Sequence, residues 1–281
     1  PAVVFNDPSI DAVLICPPTD LHGEQIIQAA KAGKAIFCEK PIANDIQKTV
    51  EALKAVKEAG VKLQLGFNRR FDPNFKKIRG LVKDGAVGDL HIVKITSRDP
   101  APPPISYVKS SGGIFMDMTI HDFDMARYLA GGEVVEVYAH GAVLIDHAIG
   151  EAGDYDTAVI MLKFDNDVTC IIDNSRQAVY GYDQRVEVFG SKGSAVADNN
   201  KPTNVEVSTV EAVCTDKPLY FFLERYMESF AVELQDFFKA LAKDEAPPVT
   251  GDDGLKALYI AIAAGKSAKE NRPVPIKEVM A

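Results

Sequence analysis

The chain has 281 residues, a formal net charge of −9, 47% hydrophobic residues and 25% charged residues. Domains usually run to about 100–200 residues, so two are expected, and the composition is that of a soluble globular protein. The acidic balance, with Lys and Arg spread along the chain, argues against nucleic acid as a partner, and no apolar run approaches the roughly 20 residues of a membrane span.

Residues 1–7 have neither the basic nor the apolar region of a signal peptide, and they begin without Met, as expected of a trimmed or incomplete chain. Ala12-Val-Leu-Ile-Cys16 is a short, wholly apolar run, the pattern of a parallel strand covered on both faces. Asp20 can cap a helix whose Leu21, Ile26, Ile27, Ala29 and Ala30 form a partial 3.6-residue stripe, ended by Gly33. Ala35-Ile-Phe-Cys38 reads as a second buried strand. Residues 44–59 read as a helix stopped by Gly60, and Leu63-Gln-Leu-Gly-Phe67 as a third strand. Strand–helix–strand–helix–strand with short connections implies a parallel, right-handed α/β sheet.

After Phe67 the rhythm changes. A helix near 72–83 leads to the alternating strand His91-Ile-Val-Lys-Ile-Thr-Ser97, a proline-rich loop from Pro100 to Pro104, and a helix at about 114–130. Between Val134 and Val207 most segments alternate at period 2, with turn signals such as Asp165-Asn-Asp167 and Gly190-Ser-Lys-Gly193 between them. Helices near 220–243 and 252–269 finish the chain. The expected fold is α/β plus α+β: a partial parallel Rossmann-type sheet over 1–67, then a domain over 68–281 with a mostly antiparallel open sheet flanked by helices. No Gly-x-Gly-x-x-Gly occurs anywhere, so the half of the sheet that would carry a phosphate loop is expected to be missing from the front. Four scattered cysteines without a Cys-x-x-Cys pair read as buried free thiols in a reducing compartment, the cytoplasm, with no zinc site.

Two stretches can carry chemistry. Cys38-Glu39-Lys40-Pro41 follows a buried strand, and ligands of open α/β sheets sit at strand carboxyl ends. Pro41 restricts Lys40 to extended backbone angles and aims its side chain off the strand. Asp117 and His121, four residues apart, project from one face of an otherwise apolar helix. A self-satisfied pair that only packs the domains is the bland alternative for them, as a solvated strand end is for Lys40. Together the three suit alcohol oxidation. His121, with an ordinary pKa of about 6.5, takes the hydroxyl proton; Lys40 stabilises the developing alkoxide; Asp117 orients the imidazole or a neighbouring substrate hydroxyl.

Four stretches carry a resemblance: Asp11-Ala-Val-Leu-Ile-Cys-Pro-Pro-Thr-Asp-Leu-His22, Ala32-Gly-Lys-Ala-Ile-Phe-Cys-Glu-Lys-Pro41, Gly66-Phe-Asn-Arg-Arg-Phe-Asp72 and Asp117-x-x-x-His121-x-x-Asp124. In order and spacing the chain resembles the glucose–fructose oxidoreductase, inositol dehydrogenase and rhizopine-catabolism (Gfo/Idh/MocA) family, and within it the inositol dehydrogenase branch. The resemblance implies hydride transfer between a secondary alcohol of a cyclic polyol or sugar and NAD or NADP, with Lys40, Asp117 and His121 as the catalytic group. It implies substrate contacts, at loosely matching positions, from the segments holding Asn68 and Arg69, Asp99, and Tyr180 and Tyr182, and cofactor contacts from Pro17, Thr19, His22, Glu39 and Lys40. It also implies a homodimer or homotetramer formed through the antiparallel sheet. A sugar dehydrogenase or keto-sugar reductase is the competing enzyme reading. A sugar-binding or assembly subunit without cofactor is the competing non-enzyme reading.

Overall fold

The computed structural model describes residues 1–280. After a short helix α1 (Ala2–Phe5), the chain alternates through β1 (Ala12–Ile15), α2 (His22–Lys31), β2 (Ala35–Cys38), α3 (Ile46–Ala59) and β3 (Leu63–Leu65). The three strands pair in parallel in the order β1-β2-β3. α3 is bounded as its sequence demands: the Asp45 side chain accepts from the Lys48 N–H at 2.9 Å, and Gly60 adopts φ +66° past the last turn. The expected Asp20 cap is not formed. Asp20 lies inside a 3-10 turn (Thr19–Leu21), and no side chain caps α2, which starts at His22. Leu14 is 48% exposed, so the apolar run of β1 is covered on one face rather than two.

The second unit contains α4 (Pro73–Lys83), β4 (Leu90–Arg98), α5 (Ile105–Ser111), α6 (Ile114–Asp117), α7 (Thr119–Ala130), β5 (Val134–Ala142) and α8 (His147–Glu151). Strands β6 (Thr157–Phe164), β7 (Thr169–Ser175), β8 (Asp183–Gly190) and β9 (Gly193–Ala197) follow, then a hairpin, β10 (Glu206–Ser208) and β11 (Val213–Thr215). Helices α9 (Phe222–Ala242) and α10 (Gly251–Glu270) and strand β12 (Val274–Pro275) complete it. The large sheet runs β12-β5-β6-β7-β4-β8-β9, antiparallel throughout except for β4 beside β7.

Alternation decides the faces of this sheet. Ala158, Ile160 and Leu162 point inward and are buried, whereas Val159 and Met161 between them are about half exposed on the outer face. Val137 and Ala139 pair with Leu162 and Ile160 and lie in the core. α10 packs on β5 and α7, and α7 also contacts β4. Ile120 of α7, Ala257 of α10 and Val249 just before α10 enter the apolar cluster of the parallel sheet, so helices of the second unit pack across residue 67.

Charge pairs fasten the same junction. After β3, Arg69 donates to Asp122 of α7, while Arg70 grips Asp124 through two hydrogen bonds of 2.8 and 2.6 Å and reaches Asp253 of α10 at 2.9 Å. Asp122 and Asp124 are buried, so removing either arginine would strand a buried carboxylate. The helix expected at 114–130 is two helices broken at Met118 (φ −93°, ψ −60°). That break falls between the two residues singled out for catalysis.

Candidate active site

β2 delivers the first group. The Glu39 N–H donates to the Ile15 carbonyl at 3.0 Å, holding the strand end, and Lys40 follows with a cis peptide to Pro41. Lys40 Nζ donates to the Asp117 carbonyl oxygen at 2.8 Å and lies 3.7 Å from Asp117 Oδ1. A lysine from the parallel sheet thus meets the α6–α7 junction of the other unit.

Asp117 is held on three sides. Its Oδ1 accepts from the Tyr107 hydroxyl at 2.8 Å, with Lys40 Nζ 3.7 Å away, and its Oδ2 accepts from Arg176 at 3.1 Å. It makes no hydrogen bond to His121 among the described residues, which corrects the expectation that it could orient the imidazole. The helix break turns the two side chains onto separate partners. The His121 ring packs edge-on against Phe67 at 6.0 Å, and its Nδ1 is sealed without a partner among the described residues. Nε2 is left as the nitrogen open to the cavity. Burial pushes the imidazole well below its ordinary pKa of 6.5, and the Lys40 and Arg69 charges push it further. His121 is therefore neutral at neutral pH and able to accept a proton. Burial also lowers Lys40, with Asp117 and Glu39 opposing, and raises Glu39.

These groups line one cavity of about 680 Å³. Glu39, Lys40, Asn68, Arg69, Asp99, Asp117, His121 and Tyr182 all border it. Its wall is completed by the proline loop 100–104, by Tyr220-Phe221-Phe222, and by Tyr226, where α9 loses helical geometry (φ −121°, ψ 15°). Pro17 and Thr19 stand at the end of β1 and do not border the cavity. His22 is corrected more sharply. It is 1% exposed, and its two ring nitrogens lie 2.7 Å from the Pro41 carbonyl and 2.8 Å from the Pro17 carbonyl, leaving none for a ligand. Tyr180 lies elsewhere, its hydroxyl donating to Asp183 at 2.6 Å and accepting from Arg98 at 3.1 Å.

Sequence reasoning missed Arg176, Tyr107 and Tyr226. Arg176 stands just past an alternating strand, and in sequence nothing separates it from a solvated strand end. The cysteines also differ from expectation: Cys38 and Cys170 are buried, but Cys16 and Cys214 are exposed. No group of three or more His, Cys, Asp or Glu is arranged for a metal ion among the described residues.

A family model for the "Oxidoreductase family, NAD-binding Rossmann fold" matches residues 1–67, and one for the "GFO/IDH/MocA C-terminal domain" matches residues 75–196. The chain is 58% identical to the uncharacterized oxidoreductase YrbE of Bacillus subtilis over 98% of its own length and 80% of that protein's. It belongs to the Gfo/Idh/MocA family. This Gfo/Idh/MocA chain is also 51% identical to a myo-inositol 2-dehydrogenase of Thermotoga maritima, over 100% of its own length and 84% of the relative's. Among solved structures, scyllo-inositol dehydrogenase from Lactobacillus casei with bound NAD(H) and scyllo-inositol superposes with a TM-score of 0.91 at 31% identity, over 98% of this chain and 82% of that one. The parallel sheet and the mostly antiparallel second sheet are thus the Gfo/Idh/MocA arrangement.

Proposed function

We propose that the protein oxidises a secondary alcohol of an inositol-like cyclic polyol, with NAD or NADP as hydride acceptor, and that Lys40, Asp117 and His121 carry the reaction. The observation that supports this most is the meeting of Lys40 with Asp117 beside a neutral, partly unpartnered His121 on one cavity. The relatives named as inositol dehydrogenases supply the substrate class.

The residues fit a nicotinamide cofactor. The ends of β2 and β3 border the cavity through Glu39, Lys40, Asn68 and Arg69, and a volume of about 680 Å³ lies in the usual range for ligand sites of roughly 300–1,000 Å³. Glu39 and Lys40 would border the nicotinamide end, with Pro17 and Thr19 beside the ribose. Bound NAD or NADP supplies the hydride acceptor. His121 takes the hydroxyl proton at Nε2 as the carbon is oxidised. Lys40 donates to the developing alkoxide, in a setting where burial strengthens the interaction. Asp117, with both oxygens already oriented, accepts from a neighbouring ring hydroxyl. Arg69 and Tyr182 border the ring.

The outer face of the large sheet, with Val159, Met161, Ile171 and Phe189 each 41–49% exposed, suits pairing with a second copy in a homodimer or homotetramer. The exposed thiols Cys16 and Cys214 suit the reducing cytoplasm, and no helix of the described residues is long and apolar enough to cross a membrane. Nicotinamide absorbance with myo-inositol, scyllo-inositol and glucose, each with NAD and with NADP, tests the assignment. Turnover of an inositol is expected; activity on none of these, or on glucose alone, would overturn it.

A further inference from the structure

Arg176 follows β7 and is anchored by its backbone N–H, which donates to the Asp156 carbonyl at 2.8 Å. Its side chain is 4% exposed. One guanidinium nitrogen donates to Asp99 Oδ2 at 3.2 Å and another to Asp117 Oδ2 at 3.1 Å. The two carboxylates come from different places, Asp99 from just past β4 and Asp117 from the end of α6, and all three residues border the cavity.

We infer that Arg176 is a positioning residue that holds Asp99 and Asp117 side by side as a two-carboxylate rest for adjacent hydroxyls of a neutral ring polyol. The inference deepens the polyol dehydrogenase reading and rests on it. A planar fork of donors can bridge two acceptors in a way that a lysine ammonium cannot. It also offsets the repulsion between the two carboxylates, which otherwise favours protonation of one. Asp99 Oδ1 takes no hydrogen bond from the described residues and is left to accept a hydroxyl. Charge narrows the substrate further. Lys40 and Arg176 are balanced by Asp99 and Asp117, Arg69 is engaged by Asp122, and Glu39 also borders the cavity. Among the described residues no surplus cation borders the cavity to take a sugar phosphate or a sugar acid.

Asp99 is faced by Arg176, Asp117, Arg69 and the phenols of Tyr107 and Tyr182. Burial raises its pKa and Arg176 opposes the rise. Without Arg176 the carboxyl keeps its proton to higher pH, and polyol binding is lost over a wider acid range.

The test is KM for myo-inositol and for NAD across pH, in wild type, Arg176→Gln and Arg176→Lys, with polyol affinity measured separately by calorimetry. Loss of a charge-assisted hydrogen-bond bridge is expected to raise the polyol KM about tenfold or more in Arg176→Gln. The NAD KM should stay unchanged and the acid limb should move up by about one pH unit or more. Arg176→Lys should restore the limb but only part of the affinity. Polyol and NAD constants that change together, or an acid limb that stays in place while only the melting temperature falls, would overturn the inference. If Arg176→Gln does not fold, full polyol affinity in Arg176→Lys overturns it and partial affinity supports it. Calorimetry separates the two claims: wild type that binds polyol without oxidising it defeats the proposed function, while weaker binding by the variants still supports the role of Arg176.

Discussion

His121 lies near two positive side chains with Nδ1 sealed and the ring bordering the cavity, and this sets its chemistry more than its residue type does. Burial, then Lys40, then Arg69 depress its proton affinity, so the acid limb of activity that it controls should lie well below pH 6.5. Imidazole NMR should show His121 titrating below 6.5 in wild type and moving up toward that value in Lys40→Met, which removes one of the opposing charges. A wild-type titration at or above 6.5, or no movement in the variant, would contradict the electrostatic account. The sequence placed Lys40, Asp117 and His121 within reach of notice because each stands in a short contiguous motif. Arg176 had no such signal, because its two partners are 77 and 59 positions away and only the sheet brings them together. His22 misled for the opposite reason: its position beside the cofactor turn was legible, but the two backbone carbonyls that occupy its ring were not.

At the scale of elements, α9 carries the least expected feature. Glu233 is 1% exposed, its Oε2 has no partner among the described residues, and burial together with nearby Glu39 pushes its pKa up to about 9. The unfolded chain ionises this carboxyl near the ordinary 4.5 while the folded chain holds the proton to about 9, so between those values the unfolded state binds fewer protons. Stability from this group is therefore complete below about 4.5 and falls as pH rises, by up to roughly 1.4 kcal/mol per pH unit. Glu233→Gln should melt above wild type at pH 8 and close to it at pH 5, as read by thermal denaturation at both values. Equal pH slopes for the two proteins would refute this. The helix pattern of α9 was visible in its apolar spacing, but the kink at Tyr226 was not, since no proline or glycine marks it. The split of the 114–130 helix at Met118 was hidden for the same reason.

At the scale of the whole molecule, two periods carried most of the fold. Short apolar runs between helices gave the parallel sheet, and alternation gave the second sheet with its faces. The hairpin β10–β11 escaped notice because all six of its strand residues are exposed and no buried face imposes a pattern. The outer face of the large sheet exposes Val159, Met161, Ile171 and Phe189 among charged residues such as Lys94 and Glu187, and its pairing with a second copy is testable. Val159→Lys with Met161→Lys should convert an oligomer to a smaller species by light scattering, since charges on a buried apolar interface are costly. Unchanged mass in the double variant would remove this face from the interface.

The claim on which the account depends is that Lys40 and His121 act on one alcohol across one cavity. Its most direct measurement is kcat/KM for an inositol in wild type, Lys40→Met and His121→Ala, each checked for an unchanged fold. Losses of about 10²–10⁴-fold are expected for His121→Ala, the usual contribution of a general base, with a comparably severe loss for Lys40→Met. Wild-type turnover of an inositol that survives intact in either variant would contradict the account.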